Sequence, residues 1–456
     1  RKSSFGLIAI HQGGSLFREQ AMMAKDANSS FTISGGVSNK MDLAAGIYSI
    51  SGGTGNDDIT ISGIGNDTIA LGTGINTLNA LNGTANTSYI ILAGGSASGK
   101  DNDTINLGDG HGKIDLTFGG NSVDFSNVSI NSTDGNSSFI ISGATANNIS
   151  VGAGIYTITG GSGDDHIVLN GSSNANIALG SGSNSLVSTT TTNTTATVYN
   201  ITAGGGKSTD TDTITLGNGS GMIDLTVSGP AASSTITTTA ATDATSNYVI
   251  VGGTSNTMHL GSGTYAITGG KGNDSITVDG KGNINVSLGT GVNDFTAQNG
   301  TASTQYIITA LKTDAAGHDK NNITLGNGTG LIDLSSNGTT NSEIINITST
   351  DASSSYTIKG GYGGIFDLGA GSYTVSGGLN DDSVSVHGSS NITLALGGAN
   401  NTVHVDTNNS IFATYNISAG GGNLTDIDSV TLGNGTGLLN FTVNGSAATV
   451  SVDAIN

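Results

Sequence analysis

The chain has no cysteine, no tryptophan and a single proline, Pro230, among 456 residues. Without cysteine no disulfide can cross-link the fold. A secreted chain of this kind therefore needs another source of stabilisation, and a bound metal ion is the obvious candidate. No apolar run approaches the roughly 18 residues that a membrane-spanning helix requires. The sequence therefore predicts no membrane span.

Charged residues are few, and most of them are acidic. Asp and Glu number 33 against 13 Lys and Arg, which gives a formal net charge of −20. This balance disfavours nucleic acid and anionic membranes as partners, and it favours cations. Apolar residues are 35% of the chain and consist mostly of Ile, Val and Leu in alternation with polar residues. The composition predicts many thin strands around a narrow core, joined by turns that use the 74 glycines.

Residues 1–30 differ from the remainder. The stretch Ser15–Ala27 is rich in good helix formers and has no glycine, which predicts a short helix with Ser15 as its N-cap. We expect this segment to be either a cap that shields the first coil of a repeat array or an arm that docks on a neighbouring subunit. Because the first residue is Arg1 rather than Met, we also expect a processed or partial chain.

From Phe31 onward the sequence repeats itself. One tyrosine column consists of Tyr48, Tyr156, Tyr265 and Tyr373, which are spaced 108, 109 and 108 residues apart. The predicted domains are an N-terminal arm or cap at 1–30 and four tandem repeats at 31–138, 139–247, 248–355 and 356–456. A period of 108 residues equals twelve nonapeptides, or six turns of eighteen.

Short apolar alternations lie between Gly, Asn and Asp turns throughout the repeats, and no helical periodicity is visible there. A long chain with this rhythm predicts an all-β fold, specifically a parallel β-roll or β-solenoid built from the four repeats.

The turns also carry a specific motif. Gly52–Thr60, Gly160–Val168 and Gly269–Thr277 match Gly-Gly-x-Gly-x-Asp-x-U-x, where U is apolar, and Gly377–Ser385 keeps the glycine pair and Asp382 but has Asn380 at the third glycine position. This nonapeptide resembles the haemolysin-type, or RTX, calcium-binding repeat. The resemblance implies a parallel β-roll with Ca²⁺ held between successive turns.

Calcium prefers six to eight oxygen ligands, which glycine carbonyls and one Asp per turn could supply. The candidates from the motif and its close variants are Asp57, Asp67, Asp165, Asp274 and Asp382. A second set lies in Asp-x-[Asp/Asn] phrases and consists of Asp101, Asp103, Asp210, Asp212, Asp319, Asp426 and Asp428. The alternative is that these residues only form Asx-turns.

Catalysis has little support in the sequence. The seven histidines share no repeat column and form no metalloprotease pattern, and the Gly206-Lys207-Ser208 phrase lacks the first glycine and the helix of a phosphate-binding loop. We therefore predict that the chain is not an enzyme.

The leading functional hypothesis is a secreted, self-assembling structural protein of the cell surface or extracellular matrix, as an S-layer lattice or a filament. Several S-layer proteins are similar in being acidic, cysteine-free and calcium-dependent. The expected partners are copies of the same chain and cell-surface polysaccharide. Two alternatives remain open: a stalk or ligand-binding region of a large RTX adhesin, and a non-catalytic calcium module of a secreted enzyme.

Overall fold

The computed structural model describes residues 19–22, 30–94, 101–117, 125–143, 145–188, 197–203, 210–226, 233–238, 246–310, 320–335, 342–378, 380–406, 413–418, 427–440 and 449–454. All regular elements in these ranges are β-strands. No helix within them is long and apolar enough to cross a membrane. The chain divides into two compact units, Arg1–Ala232 and Ser233–Asn456, and each is a parallel β-solenoid.

In unit 1 the chain alternates between two sheets. The odd sheet contains β1 (Glu19–Met22), β3 (Asn39–Leu43), β5 (Asp57–Ile61), β7 (Ile75–Ala80), β9 (Asn102–Leu107), β11 (Phe125–Ile130), β13 (Asn147–Val151), β15 (His166–Leu169), β17 (Ser185–Ser188) and β19 (Thr211–Thr215). The even sheet contains β2 (Ser30–Ser34), β4 (Ile47–Ser51), β6 (Asn66–Gly72), β8 (Ser88–Ala93), β10 (His111–Asp115), β12 (Ser138–Ser142), β14 (Gly154–Gly161), β16 (Ser173–Gly180), β18 (Val198–Thr202) and β20 (Ser220–Asp224).

Unit 2 has the same alternation. Its odd sheet contains β21 (Ser233–Thr238), β23 (Ser255–Leu260), β25 (Ser275–Val278), β27 (Val292–Ala297), β29 (Lys320–Leu325), β31 (Ser342–Ile347), β33 (Gly363–Leu368), β35 (Ser383–Val386), β37 (Thr402–Val405), β39 (Ile427–Leu432) and β41 (Thr449–Ala454). Its even sheet contains β22 (Asn247–Val251), β24 (Thr264–Thr268), β26 (Ile284–Leu288), β28 (Gln305–Ala310), β30 (Thr329–Asp333), β32 (Ser355–Lys359), β34 (Gly371–Ser376), β36 (Ser390–Ala395), β38 (Thr414–Ser418) and β40 (Thr436–Asn440).

Within each unit, a strand pairs in parallel with the strand two places along the chain, as β3 does with β5 and β4 with β6. One odd strand and one even strand therefore make one coil of the solenoid, and successive coils stack through the ladder hydrogen bonds. This arrangement confirms the predicted all-β, parallel solenoid.

The core is narrow because alternate side chains of each strand point inward. In β14, Tyr156 and Ile158 are buried while Ile155 and Thr157 between them face outward. β-branched and aromatic residues suit this pleated, half-buried environment. The sequence alternation thus sets both the strand type and the side that faces the core.

An aromatic column runs along the inside of the even sheet. Tyr306 stacks on Tyr356 with ring centroids 6.2 Å apart, and Tyr356 stacks on Tyr373 at the same distance. The hydroxyl of Tyr356 donates a 2.8 Å hydrogen bond to the carbonyl of Gly326. These three tyrosines are therefore core residues, and the hydroxyl of Tyr356 satisfies a turn carbonyl.

One 108-residue period contains five coils, not the expected six turns of eighteen. Tyr48 and Tyr156 lie on β4 and β14, and Tyr265 and Tyr373 lie on β24 and β34, so the members of each pair are five coils apart. The coils differ in length because the turns differ. Neighbouring inward positions in successive coils are 18 residues apart at Asn39 and Asp57 but 27 apart further along.

The N-terminal prediction of a helix over Ser15–Ala27 is wrong for the part that the structure describes. Glu19–Met22 forms β1, which pairs in parallel with β3. Helix propensity is a weak preference, and pairing with an open strand edge overrides it here. The rest of that stretch lies outside the described residues, and the arm or cap assignment for 1–30 stays a prediction.

Candidate functional site

A column of mostly buried residues, the majority of them Asn or Asp, lies where the chain enters the odd sheet from the even sheet. We call it the Asx ladder. In unit 1 it consists of Asn39, Asp57, Asn76, Asp103, Ser126, Asn147, Asp165, Asn184 and Asp212, and in unit 2 of Ser234, Asn256, Asp274, Asn293, Asn321, Glu343, Gly364, Asp382, Asn401 and Asp428.

The ladder follows the five-coil period. Four coils carry Asn, Asp, Asn and Asp in that order, and the fifth carries Ser or Glu. Two positions depart from this order: Asn321 replaces the second Asp of the third period, and Gly364 replaces the first Asn of the fourth. The Asp of each nonapeptide is the second member of its group.

Side-chain amides connect the ladder from coil to coil. In unit 1, Nδ2 of Asn147 donates to Oδ1 of Asp165 at 2.6 Å, and the backbone N–H of Asp165 donates to Oδ1 of Asn184 at 3.0 Å. The amide of Asn184 then donates to Oδ1 of Asp212 at 2.9 Å. Alternating Asn with Asp places a donor beside each carboxylate and keeps two carboxylates from meeting in adjacent coils.

The glycine turns hold the second carboxylate oxygen. The backbone N–H of Gly161 donates to Oδ2 of Asp165 at 2.8 Å, and Gly270 and Gly378 do the same for Asp274 and Asp382 at 2.9 and 3.0 Å. Each of these aspartates is only 2% exposed. The nonapeptide therefore has a structural role as a hydrogen-bonded turn, apart from any ion.

The glycines also permit close stacking of coils. Gly72 has φ +82°, and a Cβ there would overlap the carbonyl oxygen of Gly53 in the preceding coil. That same oxygen accepts a 3.2 Å hydrogen bond from the N–H of Thr73. A side chain at Gly72 would both strain the backbone and separate the coils.

Burial raises the pKa of six ladder carboxyl groups, against the lowering effect of their hydrogen bonds. The pKa of Asp103 is raised to about 7, and those of Asp165 and Asp382 to about 6. The pKa values of Asp57, Asp212 and Asp274 shift in the same direction, for the same reason. Burying a carboxylate without a full countercharge is costly, so these groups favour either a proton or a cation.

The two aspartates of the Asp-x-[Asp/Asn] phrases occupy different places in the structure, one in the Asx ladder and one before it. Asp103, Asp212 and Asp428 belong to the Asx ladder. Oδ1 of Asp101 accepts from the N–H of Gly74 at 2.8 Å, and Oδ2 of Asp210 accepts from that of Gly182 at 3.1 Å. Asp319 and Asp426 lie outside the described residues.

Asp67 is separate from the other predicted ligands. It lies on the even sheet in the aromatic column, in register with Tyr89, and its Oδ1 accepts a 3.1 Å hydrogen bond from the N–H of Tyr48. Burial raises its pKa to about 6. The three later repeats place Ala175, Ile284 and Ile392 at this position in the column.

The carboxylates fit a cation best in the first repeat. Oδ2 of Asp57 and Oδ2 of Asp103 are buried with no hydrogen-bond partner, as is Oδ2 of Asp67. Asp101 and Asp57 both act electrostatically on Asp103. In contrast, Oδ2 of Asp165 already has a partner. Among the described residues no three Asp, Glu, His or Cys side chains form a group that could hold a metal by themselves, so a calcium ion would also need turn carbonyls.

The asparagine members of the ladder were not predicted as site residues. The phrase Gly72-Thr-Gly74-Ile-Asn76, nine residues after Gly63-Ile-Gly65-Asn-Asp67, was the available signal, because Asn76 occupies the place of the motif's Asp. Comparison of the chain with protein-family models, curated proteins and solved structures found no match to any of them.

Proposed function

We propose that the chain is a secreted structural protein that folds with calcium and assembles with copies of itself, as a cell-surface lattice or an extracellular filament. The observation that carries the proposal is the Asx ladder. It has one position in each coil, its residue pattern follows the five-coil period, and it buries carboxylates in every period. Regular repetition suits an assembly because a contact made by one repeat is available to the others.

Calcium enters the proposal through the unpartnered oxygens. Asp57 and Asp103 lie two coils apart, on either side of Asn76. In the proposal each would hold its own ion with neighbouring turn carbonyls, Asp103 together with Asp101, and Asp67 would hold one in the aromatic column. When bound, calcium supplies positive charge to carboxylates that burial otherwise drives toward protonation. Asp165, Asp274 and Asp382 already accept hydrogen bonds at both carboxylate oxygens, so in the proposal they stabilise the coils without an ion.

The proposal gives the chain no catalytic role. The buried carboxylates support this part of the proposal. Those of Asp165, Asp274 and Asp382 accept structural hydrogen bonds inside the coil stack and are not accessible to a substrate. A general acid or base needs access to the atom that it protonates or deprotonates.

Electron microscopy of the purified protein in calcium and then in EGTA tests the proposal. We expect ordered sheets or fibres in calcium that disperse in EGTA. A monomer under both conditions would contradict self-assembly and favour the adhesin-stalk or enzyme-module alternatives. Asp57→Asn/Asp67→Asn/Asp103→Asn protein is the variant control, and it should lose the calcium response while keeping a hydrogen-bond acceptor at each position.

A further inference from the structure

A histidine with two carboxylate partners lies on the outer face of the odd sheet of unit 2. His387 follows β35, and its neighbours in the chain and in the adjacent coil, Val386 and Val405, are buried. Asp367 projects from β33 one coil before it, and Asp406 follows β37 one coil after it. The side chains of His387, Asp367 and Asp406 are 49%, 48% and 37% exposed.

Both ring nitrogens of this histidine contact a carboxylate. Nε2 of His387 is 2.8 Å from Oδ1 of Asp367, and Nδ1 is 2.7 Å from Oδ2 of Asp406. A neutral imidazole has one N–H and one lone pair, so it can donate only one of these hydrogen bonds and would turn its lone pair toward the other carboxylate. Both contacts are hydrogen bonds only when the ring is protonated.

We propose that His387 is a proton-dependent clamp that joins three successive coils of unit 2 by bridging Asp367 and Asp406. Asp406 also contacts a second histidine, with its Oδ1 3.4 Å from Nε2 of His404. Asp367, Asp406 and His404 are the titratable groups that face the clamp from the neighbouring coils, and no lysine or arginine among the described residues forms an ion pair with them.

The direction of the pH dependence follows from the contacts. The hydrogen bond to Asp406 raises the pKa of His387, the charge of Asp367 adds to this, and partial burial opposes it. A histidine whose pKa is raised in the folded state stabilises the fold below its unfolded pKa, and that stabilisation is lost as pH rises through the folded pKa. The clamp is therefore closed in mild acid and open in mild base, with a modest effect because the groups are half exposed.

The clamp belongs to the fourth repeat alone. The residue that follows the corresponding strand is Ser62 after β5, Asn170 after β15 and Asp279 after β25. Asp42 of the first repeat matches Asp367 in position but has Ser62 where the histidine would be. A pH response that depends on a histidine is thus confined to one region of unit 2 and is absent from the equivalent coils.

Two measurements on the full chain test the clamp. The first is an NMR titration of the histidine Cε1–H signals, with His387 assigned by the His387→Gln variant. We expect the midpoint of His387 to fall in both Asp367→Asn and Asp406→Asn proteins. An unchanged midpoint in both variants would overturn the proposal.

The second measurement is amide hydrogen exchange of β33, β35 and β37 at pH 6 and pH 8, corrected for intrinsic rates. The wild type should open more at pH 8, with the response of β33, β35 and β37 up to about fivefold larger than in His387→Gln, as expected for an exposed ion pair. The His387→Gln protein should keep only the part of the response that the buried carboxyl group of Asp382 supplies. His259→Gln is the control, because His259 also faces outward on the odd sheet and that variant should keep the wild-type response. Equal pH responses in the two variants would contradict the clamp.

Discussion

The amide of Asn184 donates to Oδ1 of Asp212 in the next coil at 2.9 Å, while its oxygen accepts from the backbone N–H of Asp165 in the preceding coil at 3.0 Å. One neutral side chain therefore separates two buried carboxylates and connects both.

Asn184→Asp would place three carboxylates in consecutive coils. We expect a loss of about 3–5 kcal/mol in the free energy of unfolding at neutral pH in EGTA, the cost typical of an uncompensated buried charge. The loss should shrink near pH 5, because Asp165 and its neighbours then bind protons. Chemical denaturation at both pH values measures it.

Asn174→Asp is the matched control for that variant. Asn174 is exposed, and its Oδ1 accepts a 2.9 Å hydrogen bond from the N–H of Val198, which a carboxylate can accept equally well. We expect a change within about 0.5 kcal/mol. Equal losses in the two variants would show that burial of charge in the ladder is not the cause.

Gly72→Ala should destabilise unit 1 strongly. The left-handed backbone costs an alanine about 1–2 kcal/mol, and its Cβ would overlap the carbonyl of Gly53, so coil spacing must also change. Gly36→Ala should be nearly neutral, because a Cβ there meets no atom within 4 Å. The thermal unfolding midpoints of the two variants provide the test, and similar midpoints would refute the stacking role of the turn glycine.

Asp67→Ile should stabilise the calcium-free protein at neutral pH. The change removes a buried carboxylate whose Oδ2 has no partner and installs the residue that Ile284 and Ile392 provide between tyrosines in later repeats. The pKa of Asp67 is raised from 3.8 to about 6. Removing this carboxyl group should therefore increase the free energy of unfolding by about 3 kcal/mol at most. A lower unfolding midpoint than wild type in EGTA would show that Asp67 makes an essential contact.

Much of the fold could be predicted because period-two alternation and glycine turns act locally. For example, the alternation of apolar and polar residues alone predicts that Ile158 faces the core and Thr157 faces outward. The number of coils per period could not be predicted, since turn length varies and hydrophobic alternation does not show where a turn of extra length begins. The strand at Glu19–Met22 was missed because pairing with β3 is a tertiary effect.

The site was predicted only in part. Aspartates in the nonapeptides were identified, but their asparagine partners lie about one coil away in sequence and look like ordinary turn residues. The sequence also did not show that Asp67 lies outside the ladder. Its phrase Gly63-Ile-Gly65-Asn-Asp67 resembles a ladder turn, although it leads into the even sheet. Only the register of the coils distinguishes the two positions.

Thermal unfolding as a function of pH, with and without calcium, tests the central claim most directly. The raised pKa values, to about 7 for Asp103 and about 6 for Asp382, mean that the folded state binds protons more tightly than the unfolded state. In EGTA the unfolding midpoint should therefore rise as pH is lowered from 7.5 to 5.5. Calcium should raise the midpoint at pH 7.5, and this gain should shrink toward pH 5.5 as protons compete for the same carboxylates. Identical midpoints with and without calcium at every pH would contradict the account.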